Sequence, residues 1–174
     1  MQVGTANTWA SASAGDFHTV AVKTHGTLWA WGSNNVGQLG DGSATNRLTP
    51  IQVGTAKTWD SASAGRSYTV AVKTDGTLWA WGSNTHGELG DGTTTTRLTP
   101  TQVGADNGWT SVAAGDFHTV GIKAGGTLWA WGSNSYGQLG DGTTTTRLAP
   151  VRVGTDTGWT SVAAGNLHTV ALRS

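Results

Sequence analysis

Four side chains able to bind a metal or move a proton recur at one interval: His18, Tyr68, His118 and His168, each 50 positions from the next. Neutral imidazole is a common metal ligand, so a ring of such groups is the first chemistry to weigh. One of the four is a phenol, however, and each opens the same extended segment in a different copy of a repeat. That placement predicts a structural hydrogen bond at the end of each unit rather than a metal set. His25 and His86 are unrepeated and are expected to face solvent. The glycines from Gly37 to Gly42 faintly suggest a phosphate-cradling loop, but such a loop needs a following helix and normally a Lys, and neither is present. Glu88 is the single Glu, so no pair of Glu general acid and base exists, and no Gly-x-Ser-x-Gly elbow occurs. Without Cys there is no thiol nucleophile, thiolate zinc site or disulfide framework. The residues thus predict no enzyme, no metal and no cofactor.

The elements that carry these residues are set by internal repetition. GTLWAWGSN begins at Gly26, Gly76 and Gly126, and residues 1–50 differ from 51–100 at 13 positions. A period of this length marks a repeat architecture and outranks any local reading. The chain divides into units 1–50, 51–100 and 101–150 and a partial unit 151–174, read as a single repeat domain. Each unit holds four short extended segments, a to d. In the second unit, a is residues 59–64, stopped by Gly65, and b is residues 69–73, followed by Asp75-Gly76. An Asp-Gly pair supplies positive φ cheaply and is a strong hairpin signal. Segment c is residues 77–81, stopped by Gly82. A polar loop then leads through Pro100 to d, residues 101–103, where the lack of an amide hydrogen suits the start of an edge strand.

Alternation along these segments fixes how they pack. Val70 and Val72 share one face of b, with Ala71 opposite, and Trp79 and Trp81 share one face of c, with Leu78 and Ala80 opposite. Neither face is polar, which predicts sheets buried on both sides by identical neighbours. Trp29, Trp31, Trp79, Trp81, Trp129 and Trp131 are accordingly expected in the core. Four-stranded antiparallel units of about 50 residues that cannot bury themselves alone point to an all-β fold, the blades of a β-propeller. There are about 3.5 blades in this chain.

The residues also resemble a known family. Ala14-Gly15, His18-Thr19, Ala21, Gly26, Trp31-Gly32, Asn34, Gly37-Gln38-Leu39-Gly40, Gly42 and Pro50 are similar to the repeat of the regulator of chromosome condensation family. The pattern recurs three times and covers essentially the whole chain. The resemblance implies a propeller of usually seven blades, closed by pairing strands from the two chain ends. It also implies two functions, exchange of nucleotide on a small GTPase and ultraviolet-B photoreception. Exchange needs an inserted wedge, and no unit carries an insertion, so that function rests on family analogy alone. Photoreception needs Trp and Arg after the glycine ending segment a, where this chain has Asp16-Phe17, Arg66-Ser67, Asp116-Phe117 and Asn166-Leu167.

Differences between copies gather in the a–b and c–d loops, which an up-and-down blade places on one face of the ring. From the a–b loops that face would collect Asp16, Phe17, Arg66, Ser67, Asp116 and Phe117. From the c–d loops it would collect Asn35, Val36, Thr85, His86, Ser135 and Tyr136. Aromatics among variable polar residues suit a binding surface. A scaffold or protein-interaction module is therefore expected, with a multivalent carbohydrate binder as the alternative. Lys plus Arg equals Asp plus Glu at 10 each, which argues against nucleic acid, whose phosphates demand a basic excess. No apolar run approaches the roughly 20 residues that span a bilayer, and the opening residues lack the pattern of a signal peptide. They read as the middle of a repeat with a Met in front. Segments a and b occur four times and c three times, fewer blades than the about four to eight that close a ring. A homodimer is expected, although two chains bring eight a–b pairs and only six c–d pairs.

Overall fold

A computed structural model describes residues 8–174, so the reading of residues 1–7 as repeat sequence lies outside the described residues. The described residues form three four-stranded antiparallel sheets and one two-stranded sheet. The first sheet is β1 (Trp9–Ala14), β2 (His18–Lys23), β3 (Leu28–Gly32) and β4 (Arg47–Gln52), hydrogen-bonded in that order. The second repeats it as β5 (Trp59–Ala64), β6 (Tyr68–Lys73), β7 (Leu78–Gly82) and β8 (Arg97–Gln102). The third is β9 (Trp109–Ala114), β10 (His118–Lys123), β11 (Thr127–Gly132) and β12 (Arg147–Arg152). A half-blade of β13 (Trp159–Ala164) and β14 (Thr169–Arg173) follows. The first strands β1, β5, β9 and β13 lie against one another, so they form the inner edge of the array.

The turns follow from their glycines. Gly76 adopts φ 77° in the hairpin joining β6 to β7, and a Cβ there would also strike the Asn107 carbonyl that leads into the next blade. The fourth strand departs from expectation. It begins at Arg97 rather than residue 101, and Pro100 lies inside it. Ala80 pairs with Thr101 and Gly82 with Arg97, so β8 bulges through residues 98–100. The bulge takes Pro100 out of the ladder, where its missing amide hydrogen costs no bond.

Register sorts the side chains into two unlike faces. Ala71 lies opposite Trp79 and Thr69 opposite Trp81, while Val70 meets Ala80 and Val72 meets Leu78. The Val and Leu face of each blade packs on the Trp face of the next. Val20, Val22, Leu28, Leu39 and Val53 of the first blade enclose Trp59, Ala71 and Trp81 of the second. The same arrangement joins the second blade to the third through Trp109 and Trp131.

Burial of the tryptophans follows this order. Trp81 and Trp131 are fully buried, and each sits against a glycine of the preceding blade, Gly40 or Gly90. Trp31, the same position in the first blade, is only half-buried because no blade precedes it among the described residues. Trp29, Trp79 and Trp129 are also half-buried, contrary to the core placement expected of them. Each is roofed by a lysine, with Lys23, Lys73 and Lys123 Nζ 4.0, 3.7 and 3.9 Å from the ring centres. Each indole also donates to the Thr two residues before it, as Trp79 does to Thr77 at 2.9 Å. These rings are amphipathic lids, packed edge-on to Trp9, Trp59 and Trp109 and wet on the other side.

Candidate functional site

His18, Tyr68 and His118 open the second strand of their blades and reach across to the following blade, whereas His168 precedes β14 and is exposed. His18 Nε2 lies 2.9 Å from Thr69 Oγ1, which itself donates to the Gln38 carbonyl at 2.8 Å. The imidazole therefore donates and Thr69 relays. His118 repeats the contact with Thr169 at 2.9 Å, and Thr169 donates to the Gln138 carbonyl at 2.7 Å. Tyr68 bridges its junction with a longer side chain, the hydroxyl donating to the His118 carbonyl at 2.5 Å and lying 3.0 Å from Thr119 Oγ1, the counterpart of Thr69. The expected cap is thus a staple between blades, because the ring points along the stacking direction and not over its own sheet. Burial lowers the pKa of both His18 and His118 to about 4, with the neighbouring His168 adding to the effect at His118. It raises the Tyr68 phenol above its ordinary value. Nδ1 of His18 and of His118 is buried without a partner, which fits the neutral ring.

The Gly37–Gly42 stretch holds a clamp that its glycines concealed. Asn34 Nδ2 donates to Asp41 Oδ1 at 3.0 Å and to the carbonyls of Ser43 and Thr45, while its Oδ1 accepts from Leu39 N at 2.9 Å. Arg47 closes the loop on Asp41 through Nε at 2.8 Å. Asn84, Asp91 and Arg97 repeat the set, as do Asn134, Asp141 and Arg147. Partial burial works against the charged form of Asp141, but hydrogen bonds from Thr143, Arg147 and Asn134 outweigh it and hold the pKa at about 2. The loop consumes its own polar groups. The signal available in the sequence was Asn, Asp and Arg recurring at identical offsets in all three units.

The variable loops do lie together. Within each blade the a–b loop is tied to the start of the c–d loop, since Ser33, Ser83 and Ser133 amides donate to the carbonyls of Phe17, Ser67 and Phe117 at 2.8, 2.9 and 2.9 Å. Between blades, Arg66 stands 3.8 Å from Asp16 and 5.1 Å from the ring centre of Phe117. His86 packs edge-on to the same ring at 5.1 Å. Phe117 is therefore half-buried, not the free aromatic its sequence position suggested. Desolvation, then the like charge of Asp16, raises the pKa of Asp116, and Arg66 opposes the shift.

Phe17 remains 59% exposed and Tyr136 74%. Asn35, Thr85 and Ser135 are exposed, while Val36 and Ser67 are half-buried. Glu88, passed over as the single Glu, is buried beneath this face and accepts from the His86 amide at 2.7 Å. Gln38 and Gln138 accept the same bond from residues 36 and 136 in the sister blades. Three departures of the second unit, Arg66, His86 and Glu88, thus converge at one place.

The profile of the regulator of chromosome condensation (RCC1) repeat matches residues 25–72, 75–122 and 125–172. A second profile of the same repeat matches 9–38, 59–88 and 109–138. In the first phasing, each match spans a junction between blades. Among solved structures, human WBSCR16 superposes with a TM-score of 0.87 at 22% identity, over 100% of this chain and 47% of that one. Saccharomyces cerevisiae Prp20p, whose structure was described with its binding to Gsp1p and histones, gives 0.84 at 22% identity, over 92% and 42%. Yeast Prp20 bound to Kap60 gives 0.85 at 23% identity, over 98% and 43%. The chain spans less than half the length of each of these structures, and identities this low speak to the fold alone.

Proposed function

The chain belongs to the regulator of chromosome condensation repeat family, and from that premise we propose a non-catalytic propeller scaffold that binds protein partners through its loop face and pairs with a second copy. The observation that carries the reading is the convergence of loop residues at positions that vary between units. In a near-identical array, Asp16, Arg66, His86 and Phe117 come from four loops of three blades and meet on one surface. Most strand residues are the same in every unit, whereas these loop positions vary, as positions that contact something else do. Rigid strands beneath them hold the surface in shape before any partner arrives, which limits the ordering cost of binding.

Self-association is proposed from the two end faces. Val170 and Leu172, on the face that a following blade would cover, are 52% and 62% exposed. At the other end the Trp face of the first blade, with Trp9, Trp29 and Trp31, is half-buried. Inside the array these two kinds of face bury each other, so a second copy offers the matching surface.

A photo-cross-linking residue placed at Phe17 or Tyr136 tests the loop face against the same residue at Thr99 on the outer strand β8. The scaffold reading expects a cross-linked protein partner from the first two positions and none from the third. Equal labelling at all three would contradict it. A glycan array run on the same protein decides the carbohydrate alternative, for which exposed Phe17 and Tyr136 are the stacking rings; saturable glycan binding abolished by Phe17→Ser would replace the protein reading.

A further inference from the structure

At the junction of the second and third blades, one peptide unit combines a reactive pair of residues with the exposure to react. Asn107-Gly108 is the only Asn-Gly pair in the sequence. It lies between β8 and β9, outside every strand, and Asn107 is exposed. The Gly108 amide has no backbone acceptor among the described residues. The space around its Cα is open, since a Cβ there would meet nothing within 4 Å. An amide nitrogen left free beside a side-chain carboxamide is an intramolecular nucleophile. Attack through a five-membered ring needs no second molecule to be brought into place.

The other places of this kind are closed. Asn34, Asn84 and Asn134 are buried in the loop clamps, and Asn46 Oδ1 accepts from the Asn34 amide at 2.7 Å. Asn7, Asn35 and Asn166 are followed by Thr8, Val36 and Leu167, whose side chains crowd the amide. Four Asp-Gly pairs remain. In three of them the Gly amide is engaged, Gly42, Gly76 and Gly92 donating to the carbonyls of Leu98, Lys73 and Leu148 at 3.0, 2.8 and 2.9 Å. In the fourth, Asp141 is held by Asn134 at 3.1 Å and Arg147 at 2.8 Å. The counterparts of Gly108 are Thr8, Thr58 and Gly158, and Gly158 follows Thr157, so the reactive pair belongs to the third unit alone.

We propose that Asn107-Gly108 is a site of covalent self-modification, at which the side-chain amide is lost as ammonia and the chain is rerouted through an isoaspartate. The Gly108 amide gives its proton to base, and its nitrogen attacks Asn107 Cγ. A C–N bond forms, the Cγ–Nδ2 bond breaks, and Nδ2 takes up a proton and leaves as ammonia. Water then opens the cyclic imide. Cleavage between Cγ and the Gly108 nitrogen gives Asp. Cleavage between the main-chain carbonyl carbon and that nitrogen gives isoaspartate, with one methylene added to the backbone. Asn and water become an acid and ammonia, and nothing is oxidised or reduced. The place makes the second product matter. The Asn107 carbonyl packs so closely on Gly76 that a Cβ there would collide with it. The Trp109 amide donates to the Gly76 carbonyl at 3.1 Å, and the Ala124 amide to the Gly108 carbonyl at 2.7 Å. A methylene inserted between these contacts displaces them and loosens the junction in which Trp109 is buried. The α-carboxylate freed at residue 107 is the group that an S-adenosylmethionine-dependent carboxyl methyltransferase takes, so that class of reaction consumes the product.

The test ages the 174-residue chain in warm, mildly alkaline buffer. Samples are followed by peptide mapping in the mass spectrometer and by methyl transfer from labelled S-adenosylmethionine with an isoaspartyl methyltransferase. Trypsin releases residues 98–123, in which Asn107 is the single Asn. Conversion of amide to acid in that peptide is expected, with isoaspartate the larger product and the methyl label confined to it. Gly108→Thr installs the residue that the preceding unit carries as Thr58 and should bring the label to background. If that variant fails to fold, Asn107→Gln, whose longer side chain closes the ring poorly, takes its place. Label spread over the Asp-Gly peptides, or equal label in parent and variant, overturns the proposal. So does an unconverted protein when the free peptide of the same sequence converts. Thermal melts then separate charge from backbone. Freshly prepared Asn107→Asp, with the new charge on a normal backbone, should melt with the unaged parent, and the isolated isoaspartyl form should melt lower. Coincident melts of these two forms would overturn the effect on the junction.

Discussion

The inter-blade staples make the fold sensitive to acid through two identifiable side chains. His18 and His118 titrate near 4 in the folded chain, against an ordinary 6.5. Between those values the unfolded chain binds more protons, so the stability they contribute is present above about pH 6.5 and is lost as pH falls toward 4. Each accounts for up to roughly 3 kcal/mol of that loss. Urea melts at stepped pH should show the decline, and the double variant His18→Tyr, His118→Tyr should flatten it, because Tyr68 already makes this bridge with a group that does not titrate there. An unchanged decline in the double variant would contradict the assignment. The repeated His was visible in the sequence as a structural hydrogen bond, but its acceptor was not. Thr69 lies 51 residues away, and only the stacking of blades brings the two together. Phe117 was misjudged for the same reason, since its neighbours Arg66 and His86 belong to another blade. Phe17→Ser should therefore leave the melting temperature nearly unchanged, and Phe117→Ser should lower it; equal effects would mean that the Arg66 and His86 contacts contribute nothing.

Among the elements, the strands and their turns were legible because each apolar alternation is bounded by glycine and recurs in every unit. The start of the fourth strand was not, because a bulge carries Pro100 through a strand that Pro would otherwise interrupt. Alternation also shows that a strand has two faces without showing which neighbour each face meets. That order depends on Gly40 and Gly90, where the loop of one blade admits the indole of the next. Gly90 and Gly92 offer a controlled comparison, with φ of 75° and 80° in the same loop. Alanine at either position carries the strain of positive φ, about 1–2 kcal/mol. Only at residue 90 does the Cβ also meet Trp131, at 2.6 Å from Nε1, so Gly90→Ala should cost a further 1–3 kcal/mol, roughly, from overpacking. Equal losses for the two variants in reversible denaturant melts would contradict the indole socket. Trp81→Ala should cost about 3–5 kcal/mol and exceed Trp79→Ala, whose ring is wet on one side.

The whole molecule is a run of blades with unlike ends, each end apolar and each matched to the other. Cores of this kind form between units and not within them, so stability resides in the junctions. Repetition and family resemblance made that architecture readable from the sequence. The number of blades in an assembled object is not written there, because eight a–b pairs and six c–d pairs do not make whole blades from two chains. The mass of the 174-residue chain in solution, measured by light scattering at micromolar concentration, tests the central claim most directly. Twice 17.8 kDa is the result expected if the end faces bury each other. A stable, folded species of 17.8 kDa across the same concentrations would contradict it.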